Sequence, residues 1–186
     1  PGNCDKLVAI KRTRDGQDLI VMGRDMGVLG VAPLPANARR LRVIEQVAFD
    51  LNDDGKTSPG ERLDLALVGG DGGIIIVVLG LDRSLSTQAT GRYPEVYGRV
   101  PMSGTVTDIE VSLDQLQAVV VFDSTYAQTS GPFLALVDLR KPDTWALVDK
   151  NADSVDDRII YRNPLPSGVN GIRIDNDREL LYIAGP

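Results

Sequence analysis

Leu63-Asp64-Leu65-Ala66-Leu67-Val68-Gly69-Gly70-Asp71-Gly72-Gly73-Ile74-Ile75-Ile76-Val77-Val78-Leu79 carries the reading of the fold. Leu63, Leu65 and Leu67 alternate with Asp64 and Ala66, which is the period of a half-buried strand. The run 74–79 is apolar throughout, yet it is strand-sized and far short of the roughly 20 residues that cross a bilayer as a helix. Between the two runs, Gly69-Gly70-Asp71-Gly72-Gly73 reads as a hairpin turn. A phosphate-cradling loop would lead into a helix and carry Lys-Ser or Lys-Thr, and this one does neither.

The same alternation recurs along the chain. Ile109 and Val111 alternate with polar neighbours, as do Ile172 and Ile174, and clusters of Gly, Pro, Asp and Asn separate the runs. Four segments line up: Val8-Ala9-Ile10, Val47-Ala48-Phe49, Thr107-Asp108-Ile109 and Asn170-Gly171-Ile172. Each leads through a polar turn into a strongly apolar strand, at 19–22, 65–68, 118–122 and 180–184. A third strand follows in three copies, at 27–32, 73–78 and 133–139, and a more polar fourth closes each unit at 41–45, 96–100 and 158–162. Aligning Ile10, Phe49, Ile109 and Ile172 gives a unit of roughly 40 to 60 residues, the size class of propeller blades. Insertions at 84–93 and 124–131 lengthen two of the units.

Four-stranded antiparallel units at this period, with no helical stretch between them, predict an all-β chain folded as a β-propeller or part of one. The blades fall at approximately 6–45, 46–101, 104–165 and, incompletely, 169–186. A β-sandwich, which also has many short strands, is the alternative. The abrupt Pro1-Gly2 and Gly185-Pro186 termini read as cut, as in a processed chain or an excerpt, with the rest of the ring on further chains or segments. Cys4 is the single cysteine, a free thiol or a group paired outside this stretch.

Leu134-Ala135-Leu136-Val137-Asp138-Leu139-Arg140-Lys141-Pro142 resembles the core of the LVIVD repeat, in which an apolar strand ends in Val-Asp and a Pro follows. The stretch 19–33 is similar, with Gly23-Arg24-Asp25-Met26-Gly27 as its hairpin turn, and so is 65–78. Leu181-Tyr182-Ile183-Ala184-Gly185 looks like the strand that opens the next hairpin. The 19–33 and 65–78 copies replace the Val-Asp ending by Val31-Ala32 and Val77-Val78. The resemblance implies a surface β-propeller and says little about its ligand.

Asp50-Leu51-Asn52-Asp53-Asp54-Gly55-Lys56-Thr57-Ser58-Pro59-Gly60-Glu61 fits the EF-hand loop at its first, third, fifth, sixth and twelfth positions. Oxygens at alternate residues of a tight loop converge on one point, Gly55 permits the turn, and a distant carboxylate closes the shell. Calcium takes six to eight oxygens, and Asp50, Asn52, Asp54, the Lys56 carbonyl and Glu61 supply most of them. The segment 39–49 suits a helix by its apolar spacing, but the exit alternates like a strand and Thr57 replaces an apolar residue. A strand–loop–strand calcium site therefore fits better than a true EF-hand. Followed by Leu63-Asp64-Leu65-Ala66-Leu67-Val68-Gly69, it resembles the FG-GAP repeat of integrin-type propellers. An insertion around 58–61 leaves the last ligand open among Ser58, Glu61 and Asp64. A weaker echo, Asp149, Asn151, Asp153 and Asp157, has the same alternate spacing, with Ser154 where Gly is expected. The plain acidic turn is the alternative in both places.

Composition narrows the function. The net charge of −6 disfavours a nucleic-acid partner, whose backbone needs clustered Lys and Arg. The absence of His removes the commonest general base and the base that activates a serine. Tyr93, Tyr97, Tyr126, Trp145 and Tyr161 form either a binding face or packing between blades. The expectation is a non-enzymatic extracellular, cell-surface or periplasmic propeller that binds protein or glycan through its loops, stabilised by calcium. The alternatives are the propeller portion of a hydrolase or other enzyme, and a structural element of a filament, cell wall or virion.

Overall fold

The computed structural model describes residues 6–34, 37–48, 56, 62–81, 94–112, 117–126, 129–139, 151–152, 155–175 and 177–185. Among them there is no helix, and every regular element is a strand. In chain order these are β1 (Lys6–Arg12), β2 (Gln17–Gly23), β3 (Val28–Leu34), β4 (Ala38–Ala48), β5 (Arg62–Leu81), β6 (Glu95–Val111), β7 (Gln117–Tyr126), β8 (Thr129–Asp138), β9 (Ile159–Pro164), β10 (Gly171–Asp175) and β11 (Leu180–Ala184). The fold is thus all-β. All pairing is antiparallel between sequence neighbours, in three sheets: β1-β2-β3, β4 through β9 in order, and β10-β11. None of the sheets closes on itself.

The six-stranded sheet is two units joined through β6. Glu95–Thr105 of β6 pairs with β5, and Gly104–Val111 pairs with β7. Side chains from both halves then share one core: Leu65, Ile76 and Val100 from the first half lie with Val120, Phe122 and Ala135 from the second. Phe122 and Phe133 stack there with ring centroids 5.6 Å apart. The opposite face of the first half, with Ala66, Val68, Ile75 and Val77, packs on Leu19, Val21 and Ala32 of the β1-β2-β3 sheet. The opposite face of the second half, with Val119 and Val121, packs on Ile172 and Ile174 of β10. Three apolar layers therefore alternate with four sheet layers. A sheet with both faces covered reads as a continuous apolar run rather than as an alternation, which is what 74–79 is.

At Gly69–Gly73, β5 changes both partner and face. Its pairs with β4 stop at Gly70 and its pairs with β6 start at Asp71. Before this point the odd-numbered leucines enter the larger core, and after it the even-numbered isoleucines do. Gly72 and Gly73 have φ of +78° and +123°, which glycine adopts without penalty. A Cβ on Gly73 would lie 2.1 Å from the Val100 carbonyl oxygen. Asp71 fastens the corner. It accepts from Thr105 Oγ1 at 2.7 Å and from Asn37 Nδ2 at 2.6 Å, and these two bonds, with Arg39 adding a little, hold its carboxyl below the ordinary 3.8 despite a small opposing effect of burial.

The expected turn at Gly23–Gly27 is present: the Gly23 N–H donates to the Gly27 carbonyl and the Met26 N–H to the Gly23 carbonyl. Residues 124–131 differ from the expected insertion. Most of them extend the β7-β8 hairpin, with Ser124 opposite Gly131 and Tyr126 opposite Thr129. The segment 41–45 also differs: it lies in β4 and pairs with β5 instead of closing the first unit against β3. Its partners Leu65, Leu67 and Val68 are covered on both faces, whereas β3 exposes Val28, Leu29 and Val31, so pairing with β5 buries more apolar surface. The first sheet is tied to β4 by a side-chain amide. The buried Gln17 accepts from the Ala38 N–H at 2.6 Å and donates to the Ala38 carbonyl at 3.0 Å.

Candidate functional site

Residues 39–48 lead into the acidic stretch as strand, in β4, where the apolar spacing had suited a helix, and Phe49 lies outside the described residues. The loop spans Ala48 to Arg62, which are direct cross-strand partners, so it joins two strands as a hairpin connection. Strands thus flank the acidic stretch on both sides, where an EF-hand has helices. Of the expected calcium ligands, Lys56 is described and exposed, while Asp50, Asn52, Asp54 and Glu61 lie outside the described residues. In the second acidic loop Asn151 is exposed and Asp157 half-buried, and Asp149 and Asp153 lie outside the described residues. Among the described residues no three His, Cys, Asp or Glu side chains group as metal ligands. Within that same stretch, Asp156 is committed elsewhere. It is buried and grips Arg158 with both oxygens, at 2.7 and 2.5 Å, while Arg158 Nη2 donates to the Arg99 carbonyl at 2.7 Å.

The site with the most developed polar geometry lies where β4, β6 and β10, the first strands of three successive layers, come side by side. An open cleft of about 580 Å³ is lined there by Arg40 and Arg42 of β4, Asp108 and Glu110 of β6, Arg173 of β10, and Asn170 and Tyr182. Strand alternation explains the lining. Ile109 points into the core, which sends Asp108 and Glu110 to the other face, and Ile172 does the same for Arg173.

Two carboxylates organise three arginines. Glu110, whose side chain is only 4% exposed, accepts from Arg42 Nη2 on Oε2 at 2.7 Å and from Arg173 Nη1 on Oε1 at 2.9 Å. Asp108 accepts the Ile109 N–H on Oδ1 at 3.0 Å and the Ile172 N–H on Oδ2 at 2.9 Å, the second bond joining β10 to β6. Arg40 and Arg173 flank Asp108 more loosely, at 3.8 and 3.6 Å. A carboxylate buried this far is tolerated only when paired, and here each acid is met by donors on both oxygens. The arginines are far more open: 48% for Arg40 and Arg42, and 73% for Arg173. The cleft thus hides its negative charges and presents guanidinium groups to solvent. Chemically it suits holding an anionic group, since guanidinium forks match carboxylate geometry.

The charged lattice was not among the sequence-based site residues. The signal for it was present: Asp108 sits in one of the four aligned segments, Arg173 follows another, and Arg40 and Arg42 occupy the strand entering the acidic loop. Glu110 and Arg173 directly follow the aligned Ile109 and Ile172, and opposite charges at like places in successive repeats mark side chains that meet. Of the aromatic residues expected at a binding face or between blades, neither of the two with described side chains lines the cleft. Tyr97 packs against the larger core, Tyr161 is exposed on β9, and the side chains of Tyr93, Tyr126 and Trp145 lie outside the described residues.

No helix among the described residues is long and apolar enough to cross a membrane. No protein-family model matches the chain, and comparison with curated proteins and with solved structures gives no match.

Proposed function

We propose that the chain is a non-enzymatic binding module of β-propeller type, whose sheet layers are blades of the LVIVD kind and whose charged cleft lies at the hub. The observation that carries this reading is the juxtaposition of β4, β6 and β10, cross-linked by Arg42, Glu110 and Arg173 across three layers. In a propeller the first strand of every blade lines the axis, so first strands of consecutive blades become neighbours. A two-layer sandwich has no such series, and four successive layers favour blades. On this reading β5 supplies the second and third strands of one blade, joined through Gly69–Gly73. Exposed Val28, Leu29 and Val31 on the first sheet, and Leu180, Leu181 and Ile183 on the last, support further sheets completing the ring.

The module recognises protein or glycan at a cell surface, in the periplasm or outside the cell, and calcium stiffens the loop between β4 and β5 through Asp50, Asn52, Asp54, Lys56 and Glu61. The recognition reading is favoured over chemistry by the state of Asp108 and Glu110. Their oxygens are occupied in orienting arginines and β10, which suits a binding surface better than proton transfer to a ligand. The test is binding of the chain to arrayed glycans and to surface-protein fractions, with calcium and with EDTA. Saturable, calcium-strengthened binding supports the reading; turnover of a bound compound that is lost with Asp108→Asn or Glu110→Gln overturns it.

A further inference from the structure

We propose that the cleft takes the carboxylate of an acidic sugar, with Arg173 as the principal anion ligand, Arg40 and Arg42 as flanking charges, and Tyr182 as the surface for the sugar ring. The inference rests on the binding-module reading and specifies its ligand. Arg173 spends Nη1 alone on the protein, donating to Glu110 and to the Ile172 carbonyl at 2.7 Å. Among the described residues its Nε and Nη2 meet no protein acceptor, and the side chain is 73% exposed. Those two N–H groups form one edge of the fork that a carboxylate engages with both oxygens. Glu110 fixes the orientation of that fork in advance, so little side-chain freedom is lost when the ligand arrives.

Charge balance favours an anion. Three guanidiniums face two carboxylates in the cleft, giving a local excess of positive charge on a chain whose net charge is −6. Such a local potential concentrates anions against the background of the whole molecule. The ligand has more than a bare charge to satisfy. The cleft of about 580 Å³ falls inside the roughly 300–1,000 Å³ range of small-molecule sites. Tyr182 lines it with a side chain that is 48% exposed, offering an apolar ring face with a polar tip, and Asn170 lines it too. A uronate presents these same features: one carboxylate, a flat C–H face and a rim of hydroxyls.

The test is an NMR titration of the whole isotope-labelled chain with digalacturonate, with galactobiose and acetate as parallel probes. Saturable shifts of the Ile109, Ile172 and Arg173 amides with digalacturonate are expected, weakened at least tenfold in Arg173→Gln and in Tyr182→Ala, and weakened by added salt. Absence of shifts, unchanged affinity in Arg173→Gln, or equal affinity for galactobiose overturns the anion site. Acetate binding as tightly as digalacturonate overturns the sugar. Cross-strand contacts between Arg42 and Glu110, recorded on the same sample, report the hub independently: their loss in the unaltered chain overturns the binding-module reading, whereas their persistence without binding overturns the acidic-sugar ligand alone. Arg173→Gln leaves Glu110 paired with Arg42, so the variant folds, and an unchanged amide spectrum away from the cleft checks this.

Discussion

Arg42 Nη2 on β4 lies 2.7 Å from Glu110 Oε2 on β6, and this contact joins the first strands of two sheet layers. Each half of the six-stranded sheet contributes one partner, so the pair closes over the edge of the core they share. Arg173 extends the same arrangement to the next layer by taking the other oxygen of Glu110. One buried carboxylate thereby registers three layers against each other.

The Asp156–Arg158 pair is the most deeply buried ion pair described, with side-chain exposures of 0% and 7%. Removing one partner strands a charge in a desolvated place, at a cost of about 3–5 kcal/mol. Asp156→Ala is expected to lower the stability measured by urea unfolding by that amount. Asp157→Ala, at a half-buried neighbour outside this pair, is expected to cost clearly less.

Gly73→Ala is expected to be severely destabilising, because the added methyl meets the Val100 carbonyl oxygen at 2.1 Å and φ is +123°. Backbone strain of this kind costs roughly 1–3 kcal/mol before the clash is counted. Gly80→Ala is the control: its new methyl finds only the flexible Lys6 Nζ, at 3.4 Å, and thermal melting should barely move.

These two sites show how the legible and illegible parts of the fold divide. Strand character was readable from local pattern, because Leu63, Leu65 and Leu67 alternate whatever their partner turns out to be. The partner of β4 was not readable, because 41–45 has a pattern that suits either edge and only the burial available on β5 decides between them. Asp156 lies in the stretch read as an acidic turn and Arg158 opens the strand read at 158–162, and nothing local announces that their charges will be covered together. The cleft was hidden for the same reason: Arg42, Glu110 and Arg173 are far apart in the chain, and their meeting depends on how the layers stack.

Acid should weaken the corner at Asp71. Its carboxyl lies below the ordinary 3.8 because Thr105 and Asn37 donate to it. A folded-state value below the unfolded one means that the contribution is fully present above pH 3.8, and is lost as pH falls through the lower folded-state value. Asp71 is exposed, so the effect is small. A carboxyl-carbon NMR titration should place the Asp71 midpoint lower in the folded chain than in Thr105→Val.

Calcium should raise the melting temperature if the loop between β4 and β5 binds it, since a ligand that prefers the folded state stabilises by mass action. The rise is expected to vanish in EDTA and in Asp54→Ala. A melting temperature indifferent to calcium would reduce the loop to an acidic turn and remove the main support for an extracellular setting.

The central claim, that first strands of successive layers meet at one charged hub, is tested most directly by a double-mutant cycle on Arg42→Gln and Glu110→Gln, read by chemical unfolding. Residues that do not touch give additive effects within about 0.5 kcal/mol, whereas partners in a network show coupling of about 0.5–3 kcal/mol. Because Arg42 is half exposed, a coupling near 1 kcal/mol is predicted, reduced by salt. Additive losses at low salt would place Arg42 and Glu110 apart and contradict the hub.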